Sequence, residues 1–244
     1  MKKKLILLTT FALVALLVVG GTMAWFTGYA ESANNFKMGT VEIVVEDNFD
    51  HDGAQKVNPG SCYKKEVAVT SKGNKATYVR VQLIPEWDRD VAAIYVREGT
   101  TFRVIGANAV PQEIAEQYGI NANNSAEPQF ILPIKCEKCG EWYIPFFGHK
   151  CKNPGDGGKE EDNWILRQEN DGNWYYYYKK ILYEGQTTDF LIKEVCFDGK
   201  TIGDEFQGAH FTLIVKAEAV QATNNAYKDV WGINDLPEGV EVLD

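Results

Sequence analysis

Histidine is scarce in this sequence, and the scarcity removes whole classes of chemistry. The three histidines are His51, His149 and His210. None stands in an H-E-x-x-H pattern, the spacing that sets two zinc ligands on one helical face with a glutamate as base. A G-x-S-x-G elbow, a phosphate-binding P-loop and a dinucleotide fingerprint are missing as well. Basic charge is also short: 25 Lys and Arg stand against 34 Asp and Glu, a formal net charge of −9. An acidic surface argues against nucleic acid and against anionic membrane or wall polymers as direct partners. Long apolar runs are confined to one, from Leu5 to Val19. That run is shorter than the ~20 residues of a spanning helix. No internal repeat recurs at a fixed period.

What is present begins with a targeting segment. Lys2, Lys3 and Lys4 precede the apolar run, Gly20 and Gly21 interrupt it, and Thr22-Met23-Ala24 offers a small-x-small cleavage site. This is the order of a secretory signal peptide, and it predicts cleavage between Ala24 and Trp25. The membrane is then met only through the signal segment before cleavage. Loss of the three lysines takes the formal charge of the exported part from −9 to −12. The expected destination is outside the cell, secreted into a matrix or held at the surface.

The exported part alternates apolar and polar residues with period two, the mark of half-buried strands. The clearest runs are Val41–Glu46, Glu66–Thr70, Val79–Leu83 and Phe211–Ala219. Two further candidates, Trp174–Tyr183 and Thr187–Phe197, are rich in aromatic and β-branched residues. Asn58-Pro59-Gly60 and Ser71-Lys72-Gly73-Asn74 supply turns between the early strands. One short helix is expected, with Pro111 in its first turn, Ile114, Ala115 and Tyr118 on one face, and Gly119 as its stop. The pattern predicts an all-β fold, a jelly-roll-like antiparallel β-sandwich with one short helix and a cysteine-rich, zinc-knuckle-like insertion. The expected organisation is a signal peptide over 1–24, sandwich over 25–120, an inserted loop over 121–162, and sandwich again over 163–244.

The insertion carries the most chemical motif. Cys136-x2-Cys139-x9-His149-x-Cys151 has the ligand types and spacing of a closed Cys3His site for structural zinc. Gly140 permits a tight turn after the second cysteine. The rival reading is a disulfide between two of these three cysteines. Cys62 and Cys196 remain, either paired across the sandwich or as two partly buried thiols. Asn48-x-Asp50-x-Asp52-Gly53 opens like a calcium loop, but Pro59 stands where an EF-hand needs glutamate. The run Trp174–Tyr178 is expected to turn one row of rings into the core and another to solvent.

The junction Val19-Gly20-Gly21-Thr22-Met23-Ala24-Trp25-Phe26-Thr27 resembles the signal region of the TasA/camelysin family. Phe36–Ile43 looks like that family's first strand, Val57-Asn58-Pro59-Gly60 like its Pro-Gly turn, and Lys64–Val69, Lys75–Leu83 and Phe211–Gln221 like later strands. The resemblance implies export by a Gram-positive bacterium, processing by a SipW-type signal peptidase, and a jelly-roll subunit of extracellular biofilm fibres. It further implies assembly by donation of the N-terminal strand, here about Trp25–Val45, to the next subunit or to related fibre subunits. Camelysin relatives have been grouped with metallopeptidases, so peptidase activity is the rival function. A surface adhesin, using the tyrosine strand and the insertion, is a third. The cysteine insertion departs from the family pattern.

Overall fold

A computed structural model of the chain describes residues 39–50, 54, 57–121, 128–132, 134–135, 142–143 and 162–243. The expected signal segment with its cleavage residues Ala24 and Trp25, and the four cysteine-cluster residues Cys136, Cys139, His149 and Cys151, lie outside these residues. Twelve strands are found among the described residues: β1 (Ile43–Phe49), β2 (Cys62–Ser71), β3 (Thr77–Trp87), β4 (Ala93–Glu98), β5 (Thr101–Gly106), β6 (Gln129–Ile131), β7 (Ile134–Lys135), β8 (Trp142–Tyr143), β9 (Trp164–Gln168), β10 (Trp174–Tyr178), β11 (Ile192–Phe197) and β12 (Phe211–Gln221). Two short helices join them, α1 (Gln112–Tyr118) and α2 (Ala226–Val230).

The strands form a six-stranded sheet in the order β1-β2-β11-β5-β4-β6 and a four-stranded sheet in the order β12-β3-β10-β9. The two pack face to face. Val67 and Val69 of β2 meet Val79, Val81 and Leu83 of β3 and Tyr176 and Tyr178 of β10 in one core. Period-two alternation aims these residues inward, and the half-buried Phe211, Leu213 and Val215 of β12 extend the same core.

The expectation of a wholly antiparallel sandwich needs correction in the larger sheet. There β11 runs parallel to β5, and β6 runs parallel to β4. Both pairings join strands far apart in sequence, where no turn chemistry announces direction. A seventh-to-eighth strand pair, β7 with β8, stands as a separate two-stranded ribbon. The expected strand over Thr187–Phe197 is shorter, starting at Ile192. Before it, the Thr188 hydroxyl accepts the Val69 N–H at 3.0 Å, in place of a regular ladder acceptor.

Outer faces are covered too. Helix α1 follows Pro111 and ends at Gly119, whose φ of 65° is the left-handed conformation of a helix stop. Its Ile114, Ala115 and Tyr118 pack on Ile94, Val96 and Ile105, the outward residues of β4 and β5. The second helix was not expected, and it belongs to a C-terminal segment that crosses the outer face of the smaller sheet. There Tyr175 and Tyr177 are buried with Tyr78, Val220 and Ile233, and Trp231 packs against them. The tyrosine strand therefore presents no exposed ring row: one row faces the core and the other lies under the C-terminal segment.

Candidate functional site

At one end of the sandwich the two sheets part. A cleft of about 830 Å³ opens there, bounded by β1, β2 and β11 on one side and by β3, β12 and the loop before β12 on the other. Its floor is aromatic. Trp87 lies 5.1 Å from Phe206 and 4.9 Å from Phe211, ring centre to ring centre, and Phe197 meets Phe211 edge-on at 5.5 Å. These rings arrive by strand alternation: Trp87 ends β3, Phe197 ends β11 and Phe211 opens β12, all on inward positions. The Trp87 indole donates to the Tyr95 hydroxyl at 2.9 Å, and burial pushes the Tyr95 phenol up to about 12.

The rim is polar. Lys65 of β2, largely buried, reaches both Asp47 carboxylate oxygens, the nearer at 2.8 Å, and stands 5.2 Å over the Phe49 ring. His210 is 85% exposed, and its Nδ1 lies 2.7 Å from Asp88. Asp88 also accepts the His210 backbone N–H at 2.9 Å. That backbone bond, followed by the ring contact, holds the Asp88 carboxyl down at about 2. The pair ties the end of β3 to the start of β12 at the cleft mouth.

The cleft lies between two sheet edges. β1 ends the larger sheet and β12 ends the smaller one. Among the described residues, neither has a strand partner on its outer side. β12 is the longer, at eleven residues. Its outward Ile214 is 39% exposed, and Lys216 and Glu218 pair on the same face at 3.2 Å. Charged side chains at such an edge oppose indiscriminate pairing.

Cys62 and Cys196 are brought together in a disulfide. They do not span the sandwich. They are directly opposed residues of neighbouring strands β2 and β11, with Cα atoms 4.0 Å apart. Both lie on the outer face of the larger sheet, because Val195 and Phe197 on either side of Cys196 face the core. Glu194, two residues before Cys196, shares that face.

A metallopeptidase needs a cluster of free metal ligands. Among the described residues, the grouping that comes nearest is Cys62, Glu194 and Cys196, with ligand atoms within 4.8 Å of one another. The disulfide occupies both sulfurs, and His210, whose contact with Asp88 is through Nδ1, belongs to no group of three possible ligands among the described residues. As they stand, the described residues therefore do not fit a catalytic zinc. Nor is any described helix long and apolar enough to cross a membrane.

No curated protein matches the chain. Its first 88 residues, from the N-terminus to just past the end of β3, match the family model for the camelysin metallo-endopeptidases. Over this N-terminal part, whose described residues carry β1, β2 and β3, the chain is similar to the camelysin family.

Proposed function

We propose that this chain is a secreted structural subunit, or an accessory, of an extracellular matrix or cell-surface fibre, and that it assembles by addition of an N-terminal strand to the next copy. The observation that carries this reading is the long edge of β12, unpaired among the described residues, beside an aromatic cleft. A strand laid along β12 satisfies that edge's backbone groups and drops alternate side chains toward Trp87 and Phe211. Addition of this kind is head-to-tail and does not close, so it builds filaments. A SipW-type signal peptidase would release the donor by cutting between Ala24 and Trp25, and the donor then lies before Ile43, because Ile43–Val45, the expected end of the donor, pair with β2 of the same chain. The finer description of the sandwich as a jelly roll belongs to the same reading.

Hydrogen exchange tests the edge. In assembled material, amides of Phe211–Gln221 should gain protection relative to subunits whose N-terminus is blocked. Equal exchange in both samples would remove β12 as the acceptor.

A structural zinc held by Cys136, Cys139, His149 and Cys151 forms part of the proposal. Its support is the ligand spacing together with the antiparallel pairing of Ile134 with Tyr143 and Lys135 with Trp142. That pairing brings together the two ends of the segment containing Cys136 and Cys139. The second functional reading, a surface metallo-endopeptidase, is favoured by the description of the matching family. Zinc-dependent cleavage of casein by the purified chain, lost on chelation, would support that reading over the structural one.

A further inference from the structure

We propose that the Cys62–Cys196 disulfide is the closed state of a redox-gated metal site, which on reduction offers two thiolates and the Glu194 carboxylate to a soft divalent cation such as zinc or cadmium. The three residues already share one face of one sheet, with ligand atoms within 4.8 Å of one another. Tetrahedral ligands around zinc sit at similar separations, since Zn–S is about 2.3 Å and Zn–O about 2.0–2.2 Å. Rotation of the two cysteine side chains is enough to part the sulfurs, with the β2–β11 ladder holding the backbone in place.

The carboxylate is prepared for this role. Thr101 on the neighbouring β5 donates its hydroxyl to Glu194 Oε1 at 2.7 Å. The other carboxylate oxygen has no hydrogen-bond partner among the described residues. An outer-shell donor that fixes one oxygen and leaves the second available is the usual support of a metal-binding carboxylate. Access is also present, because Cys62 is exposed while Cys196 is buried beneath it. Three protein ligands leave a fourth position for water or for a ligand from outside.

The chemistry balances with a dithiol reductant. Its two thiols are oxidised to a disulfide, two electrons pass to the Cys62–Cys196 bond, and two protons end on the freed sulfurs. Cation binding then releases those two protons to solvent. A disulfide oxidant reverses the sequence: it takes two electrons from the thiolates, is itself reduced to two thiols, and the re-formed Cys62–Cys196 bond expels the metal, so the site reports the thiol–disulfide balance of its surroundings.

The test uses the full exported chain with C136S, C139S and C151S, so that Cys62 and Cys196 are the only thiols. Cadmium is titrated into oxidised and reduced samples, and the thiolate-to-cadmium charge-transfer absorption is followed. One cadmium per chain is expected in the reduced sample and none in the oxidised one. Glu194→Gln should weaken binding at least about ten-fold without altering the near-ultraviolet circular dichroism. Three results would overturn the proposal: no cadmium band after reduction, unchanged affinity in Glu194→Gln, or loss of tertiary structure on reduction alone. The last would show that the strands do not hold the ligands once the bond is open.

Discussion

Replacing Arg80 by alanine should detach the C-terminal segment from the smaller sheet. Arg80 projects from the outer face of β3, and its side chain is 7% exposed. Its guanidinium donates to Glu218 from Nη2 at 2.7 Å and Nε at 2.9 Å, and to the Tyr177 hydroxyl at 3.2 Å. It also stacks between rings, 3.9 Å from the Tyr175 centroid and 4.6 Å from that of Trp231. Breaking a buried pair from one side costs roughly 3–5 kcal/mol. Glu218 is 25% exposed and has Lys216 at 3.2 Å, so its stranded charge is partly relieved. Loss of two ring contacts adds about 0.5–1 kcal/mol each at partly exposed sites. The expected total is about 4 kcal/mol, set by the lower end of the pair cost plus part of the ring term.

Urea unfolding measures this change, and Trp231 fluorescence reports the segment directly through a red shift. Arg80→Lys keeps the charge but loses the planar fork and the stacking, and should recover less than half of the loss. Combining Arg80→Ala with Glu218→Gln should cost less than the two single changes added together, by at least about 1 kcal/mol. Strict additivity, or an Arg80→Ala protein within about 0.5 kcal/mol of the parent, would refute the reasoning. A pH series gives a sign check. Burial alone raises the Glu218 carboxyl, but the hydrogen bonds and charge of Arg80 outweigh it and hold the pKa below its ordinary value. Its contribution is therefore full above the unfolded carboxyl range and fades as pH falls through the lower folded value.

Three further outcomes are expected. Tyr176 is buried in the core with a hydroxyl that has no hydrogen-bond partner among the described residues, so Tyr176→Phe should leave stability unchanged or raise it by about 1 kcal/mol in thermal or urea unfolding. Gly106→Ala should destabilise by roughly 1–3 kcal/mol, because the new Cβ would lie 2.1 Å from the Thr201 carbonyl oxygen, a backbone atom that cannot swing aside. Asp88→Asn should remove a low-pH limb of the stability profile: the Asp88 contribution is present above about 3.8, its unfolded value, and is lost as pH falls toward about 2.

Much of the frame was legible because several strands set polar or charged residues between their inward apolar ones, even where those residues are covered in the fold, as Arg80 is. β1, β2, β3 and β12 alternate, and each was placed by that alternation. β4 and β5 escaped notice for the opposite reason. Their inward residues Tyr95, Phe102 and Val104 face the sandwich core, while Ile94, Val96 and Ile105 face α1. A strand buried on both faces reads as an unbroken apolar run. The tyrosine strand misled in a related way, since the rings of Tyr175 and Tyr177 are covered by residues some fifty positions downstream, a partner that no local pattern announces. The position of the Cys62–Cys196 bond within one sheet follows from the β2–β11 register, which depends on long-range pairing. The aromatic cleft was invisible for the same reason: Trp87, Phe197 and Phe211 are far apart in the chain and meet only after both sheets form.

Negative-stain electron microscopy of the chain from Trp25 onward is the direct test of strand-donated assembly. One sample carries an N-terminus released at Trp25 by a protease, and the other keeps that terminus blocked by a fusion. Filaments are expected in the released sample and separate particles in the blocked one. Separate particles in both, across pH and with added calcium or zinc, would contradict strand-donated assembly.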